Sequence, residues 1–147
     1  MSFTGSLMIK KVFLDRDSLK KYIIGYFKPD TELLVRELEN NIIVYRNFCA
    51  YNIEFCLEEK TEDDHYSHWG SYILGDDLHF SQQIIIRFEK TALSTDQYVL
   101  CIGFFRYLKE KTDSDMLFTS DTSDEICLFR EDKIIFTNGS EYLEELI

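Results

Sequence analysis

Residues 51–58, YNIEFCLE, alternate strictly. Tyr51, Ile53, Phe55 and Leu57 fall on one side, and Asn52, Glu54, Cys56 and Glu58 on the other. Period two with one mostly polar face marks a half-buried antiparallel strand. A sheet made of such strands has one apolar face to cover. Two segments carry the helical period that suits this task. Leu19, Tyr22, Ile23, Tyr26 and Phe27 form one stripe, and Tyr98, Cys101, Ile102, Phe105 and Leu108 form another. Asp15-Arg16-Asp17-Ser18 supplies N-cap candidates for the first helix, and Pro29 stops it. Ser94-Thr95-Asp96-Gln97 fits a capping box for the second. Gly103 inside that helix costs about 1 kcal/mol relative to Ala, so another backbone or ring should pack close to it.

The remaining periodic segments read as strands. Leu7–Leu14 is the first, with a polar break at Lys10-Lys11. Leu33–Leu38 is compatible with a helix or a strand. Asn40-Asn41 marks a turn before the β-branched and aromatic Ile42–Tyr45. Ile84–Phe88 is continuously apolar up to Arg87, which suggests a central strand. Met116–Phe118, Ile126–Phe129 and Ile134–Phe136 close the sheet, with a tight Glu131-Asp132 turn that lacks the usual glycine. Asn138-Gly139 ends it, and Ser140 is placed to cap a short terminal helix. The order predicts a single α+β domain over 1–147: a mostly antiparallel sheet with two main helices packed on one face.

One domain also suits the length of 147 residues and the single proline, which leave no room for an evident linker. The 12 Phe and 9 Tyr provide ample material for a core. No leader pattern follows Met1, and no apolar run reaches the roughly 20 residues that span a bilayer, so a cytoplasmic location is expected. Cys49, Cys56, Cys101 and Cys127 form no CxxC and read as free thiols in a reducing compartment.

The net charge of −11 is unevenly spread. Residues 1–50 carry eight basic and six acidic side chains, whereas residues 51–147 carry eight basic and 21 acidic, a net −13. Such a surface repels nucleic acid and anionic membrane and attracts basic partners. Lys10, Lys11, Lys20, Lys21 and Lys28 read as a solvated face rather than a phosphate-binding one. The plain alternative is that the acidity serves solubility alone.

The stretch KTEDDHYSHWGSYILGDDLHF, residues 60–80, concentrates the chain's unusual residues and reads as a long connection before the central strand. It holds all three histidines, His65, His68 and His79, and the one tryptophan, Trp69. His65 and His68, three apart, with Asp64 and His79 to complete a set, suggest a metal-dependent hydrolase, but the segment is polar and glycine-interrupted, and His79 is distant in sequence, so the rigid spacing of a ligand set is lacking. No nucleophile elbow, phosphate loop or dinucleotide fingerprint occurs, and the cysteines have apolar or acidic neighbours. No catalytic residue, metal site or cofactor is therefore assigned. A partner-binding surface fits better: Glu58, Glu59, Glu62, Asp63, Asp64, Asp76 and Asp77 as an acidic rim around Tyr66, Trp69 and Tyr72. The plain alternative is that Trp69 and Tyr72 tuck beneath the connection as a satellite of the core. A further acidic group, Asp113, Asp115, Asp121, Asp124 and Glu125, is a second candidate contact region.

From Ile84 onward the chain resembles the SitI-type immunity proteins of bacterial polymorphic toxin systems. The resemblance lies in Ile86-Arg87-Phe88-Glu89-Lys90, a helix, Ser114-Asp115-Met116-Leu117-Phe118, then Leu128-Phe129-Arg130 and a final short hairpin. The first half matches by element order only. The resemblance implies a small cytoplasmic protein that binds a cognate protein toxin and blocks it, with no catalytic residues of its own. A basic toxin would suit the charge independently. A generic protein-interaction domain remains the alternative.

Overall fold

Strand β1 (Ser2–Ile9) stops where Lys10 and Lys11 interrupt its apolar pattern, shorter than the expected run to Leu14. The computed structural model describes residues 2–27, 33–46, 52–60, 68–89, 94–120, 124–137 and 139–147. Helix α1 (Arg16–Phe27) starts at a reciprocal cap. The Asp15 carboxylate accepts the Ser18 amide at 2.7 Å, and the Ser18 hydroxyl accepts the Asp15 amide at 2.9 Å. Two of the amide donors at the helix start are thereby satisfied.

The segment left open by the sequence forms a strand, β2 (Leu33–Glu37), paired with β3 (Ile42–Arg46). The alternating segment becomes β4 (Asn52–Glu59), with Ile53 and Phe55 buried. β5 (His68–Ser71) and β6 (Asp76–His79) follow, then β7 (Gln82–Glu89), α2 (Ser94–Lys109), β8 (Met116–Ser120), β9 (Glu125–Arg130) and β10 (Lys133–Phe136). A 3-10 helix, Glu141–Leu146, closes the chain. Ser140 does not cap it through its side chain; its hydroxyl lies 3.2 Å from that of Thr137. The side chains of the Ser94–Gln97 box lie outside the described residues.

Eight strands form one antiparallel sheet in the order β10-β9-β8-β1-β7-β4-β3-β2. β1 and β7 are central, as the apolar run 84–86 requires. The two main helices cover one face. Leu19, Ile23 and Phe27 of α1 and Cys101, Ile102, Phe104, Phe105 and Leu108 of α2 join Leu7, Ile9, Phe55, Ile84, Ile86 and Phe118 in one core. Phe104 lies at its centre, with ring centroids 5.3 Å from Phe55 and 5.4 Å from Phe27. Edge and tilted ring contacts of this kind add to the area that each ring buries.

The helices meet through a reciprocal glycine–tyrosine contact. A Cβ at Gly103 would overlap the Tyr26 hydroxyl, and one at Gly25 would stand 2.9 Å from the Tyr107 hydroxyl. Each glycine makes room for the other helix's tyrosine, which is the close-packed ring expected at Gly103. The β9–β10 turn is the tight one expected at Glu131-Asp132, and Glu131 takes the left-handed conformation that glycine usually fills (φ 54°).

Candidate functional site

The 60–80 connection is where structure and sequence reading part. Residues 68–79 are not simply a connection: they fold into a two-stranded hairpin, β5–β6. It lies on the sheet face away from the helices. Along β1, Leu7 and Ile9 point to the helix core, while Met8 points to the hairpin. Met8, Leu117 and Leu128 from β1, β8 and β9 meet Leu78 and Phe80, with Trp69, Ile73 and Leu74 packed around them.

A single carboxylate fastens the hairpin turn. Glu125 is 7% exposed, and its side chain accepts the Trp69 indole N–H at 3.0 Å and the backbone amides of Tyr72 and Ile73 at 3.0–3.1 Å. Charge-assisted bonds to a carboxylate are stronger than neutral ones, and together they satisfy what burial would otherwise penalise. The turn also closes on itself. The Ser71 hydroxyl accepts the Leu74 amide, and Gly75 adopts a positive φ of 68° before β6 begins.

Glu125 reaches this position because of a β-bulge. Phe118 pairs with Cys127, but the next residue, Thr119, pairs with Glu125, so Ile126 is the extra residue. Met116, Phe118, Cys127 and Phe129 face the helices, whereas Leu117 and Leu128 face the hairpin. In a regular ladder Ile126 would stand opposite Thr119 and face the hairpin. The bulge turns Ile126 into the helix core and puts Glu125 under the turn.

The ten candidate contact residues distribute as follows. Tyr72 in the turn and Asp76 and Asp77 at the start of β6 are all exposed, Tyr72 at 94%. Trp69 does not join them. Its ring lies against the sheet and its N–H is engaged by Glu125, so the satellite-core alternative describes Trp69 and the contact reading is left with Tyr72. Glu58 and Glu59 lie at the end of β4, by the base of the hairpin. Glu58 pairs with Lys60 at 3.2 Å, and Glu59 accepts the side-chain amide of Gln82 at 2.7 Å. Glu62, Asp63, Asp64 and Tyr66 lie outside the described residues, as does His65.

In the second acidic group Asp121 lies outside the described residues and Asp124 is exposed, while the other three have partners within the molecule. Asp113 pairs with Lys11 at 3.4 Å, Asp115 with Arg130 at 2.8 Å, and Glu125 is under the hairpin. The Asp115 carboxylate beside it raises the Arg130 pKa. Beyond the hairpin, the same sheet face over β7, β4, β3 and β2 is mixed rather than acidic, with Arg36 and Arg87 among Glu54, Ile43 and Tyr45. The exposed acid of this face is therefore concentrated on the hairpin.

Three residues take roles that the sequence reading did not give them. Glu125 looked like surface acid; its one signal is its place directly before the apolar Ile126–Phe129. Gln82 is fully buried and ties the chain before α1 to β7. Its carbonyl accepts the amides of Phe13 and Leu14, and its amide donates to the Leu14 carbonyl. His79 pairs across the hairpin with His68, with ring centroids 4.4 Å apart.

Burial pushes the thiols of Cys101 and Cys127 well above their usual range, and that of Cys56 upward, so all three are protonated at neutral pH. Among the described residues no group of three or more His, Cys, Asp or Glu side chains is placed to hold a metal ion. No helix among them is long and apolar enough to cross a membrane. Geometry thus defines an α+β domain with a pinned, acid-tipped hairpin on its open sheet face. Comparison with protein-family models, with curated proteins and with solved structures finds no match.

Proposed function

We propose that this protein is a binding protein of the immunity type, which engages a basic protein toxin through the β5–β6 hairpin and neutralises it by steric and electrostatic occlusion. The observation that carries the reading is the hairpin tip. Tyr72 stands 94% exposed on a turn whose backbone is held by a buried carboxylate, and the exposed Asp76 and Asp77 open the strand that follows. An aromatic side chain has few torsions to freeze on binding, and a turn already fixed loses little further entropy. The carboxylates steer a basic partner and raise its association rate at low salt. The net −13 of residues 51–147 acts in the same direction at longer range.

The test starts from capture of a partner on the immobilised protein in host extract, followed by co-expression of that partner with and without this chain. The expected result is a basic protein that arrests growth alone and is silent with wild type. Asp76→Lys with Asp77→Lys should slow association by at least tenfold at low salt and flatten its salt dependence. Tyr72→Ala should speed dissociation. A partner that is harmless alone would instead favour a general protein-interaction domain. Binding unchanged by all three substitutions would remove the hairpin from the interface.

A further inference from the structure

We propose that His68 and His79 together chelate one divalent transition-metal ion, copper(II) or nickel(II), on the outer face of the hairpin. The two residues are direct cross-strand partners. Side chains alternate along a strand, so the inward placing of Trp69 and Leu78 against the sheet turns both histidines outward. His68 is exposed, and an ion can reach the pair from solvent.

The separation of the rings suits one coordination geometry. A metal–imidazole nitrogen bond is about 2.0–2.1 Å, and the nitrogen lies roughly 1.1 Å from its ring centre, so each centroid sits about 3.2 Å from a bound ion. Two centroids 4.4 Å apart then subtend close to a right angle at that ion. A tetrahedral site would spread them to about 5.2 Å. Adjacent right-angle positions are those of a tetragonal or square-planar ion, and imidazole is a suitable donor for copper and nickel. The described residues supply no third ligand, so water or a group on a bound protein would fill the remaining positions. This is a binding site and not a hydrolytic one, and it stands independently of the toxin reading.

The full-length protein, with any affinity tag removed, should be titrated with copper(II) and followed by calorimetry and electron paramagnetic resonance. One ion per chain is expected, with a spectrum showing coordination by imidazole nitrogen. Affinity should fall in the order copper, nickel, zinc. His68→Gln and His79→Gln should each weaken copper binding by tenfold or more. Tryptophan fluorescence and melting temperature of each variant, measured without metal, separate loss of a ligand from loss of fold. Copper binding that persists in both variants, or a wild-type protein that takes up no ion in excess of a protein without surface histidine pairs, would overturn the proposal.

Discussion

The two faces of the sheet are closed by different physics. On the helix face, Phe104, Phe105, Phe55 and Phe118 pack with apolar side chains of six strands and two helices, and the buried Gln82 at the margin is satisfied by the backbone of Phe13 and Leu14. On the hairpin face, a smaller set centred on Leu78 and Phe80 is supplemented by a carboxylate that holds an indole and two amides. Apolar burial is non-directional and tolerates adjustment, whereas a buried carboxylate demands its donors in fixed places. The helix face therefore sets whether the chain folds, and Glu125 sets where one turn is held.

The comparison breaks first at the centre of the helix core. Phe104→Ala should cost about 3–5 kcal/mol, because the cavity opens among Phe27, Phe55 and Phe105 rather than at a margin. Urea unfolding should shift as one transition by every probe. Leu78→Ala removes a comparable side chain from the smaller cluster, and about 2–3 kcal/mol is expected. Here Trp69 fluorescence should report loosening at lower urea than circular dichroism does. Coincident transitions for Leu78→Ala would show the hairpin to be part of the main cooperative unit.

Within the helix face, the Gly103–Tyr26 contact makes a finer test. Gly to Ala in a helix ordinarily gains about 1 kcal/mol. At Gly103 the sign should reverse, since the new methyl meets the Tyr26 hydroxyl. Tyr26→Phe removes that hydroxyl, so the double variant should recover stability relative to Gly103→Ala alone, a coupling that denaturant melts resolve. The smallest effect concerns the Asp15 cap. Its hydrogen bonds from Ser18 hold the carboxyl below its usual 3.8. A lowered folded-state value means that the stabilisation is present above pH 3.8 and is lost as pH falls through the folded value. Asp15→Ala should therefore weaken α1 at neutral pH, and its difference from wild type should narrow as the pH falls below 3.8.

The contrast also explains what could be read in the chain. Both helices were legible because their apolar residues recur every three or four positions, and β4 and β7 because theirs alternate or run together. Gly103 announced a close packing ring, and Tyr26 is that ring. The hairpin was hidden because its strands are four residues long, and its inward side chains, Trp69 and Leu78, lie on opposite sides of a turn. Neither strand shows a period by itself. The pairing of His68 with His79 depends on turn length, and the role of Glu125 depends on a register shift between β8 and β9. Such shifts follow from partner strands and leave no local mark. The exposed acid at Asp76 and Asp77 was visible; the sequence left open whether Trp69 joins it or packs inward.

The central claim is that one buried carboxylate holds the hairpin turn on a sheet that folds without it. Hydrogen exchange resolved by peptide, comparing wild type with Glu125→Ala, tests it most directly. Removing the carboxylate strands the N–H groups of Trp69, Tyr72 and Ile73, a loss of about 1–3 kcal/mol for each donor left buried. Residues 68–79 should then exchange at least tenfold faster, while peptides from β1, β7 and α2 keep their protection. Equal loss across the whole molecule, or no loss at the hairpin, would contradict the account.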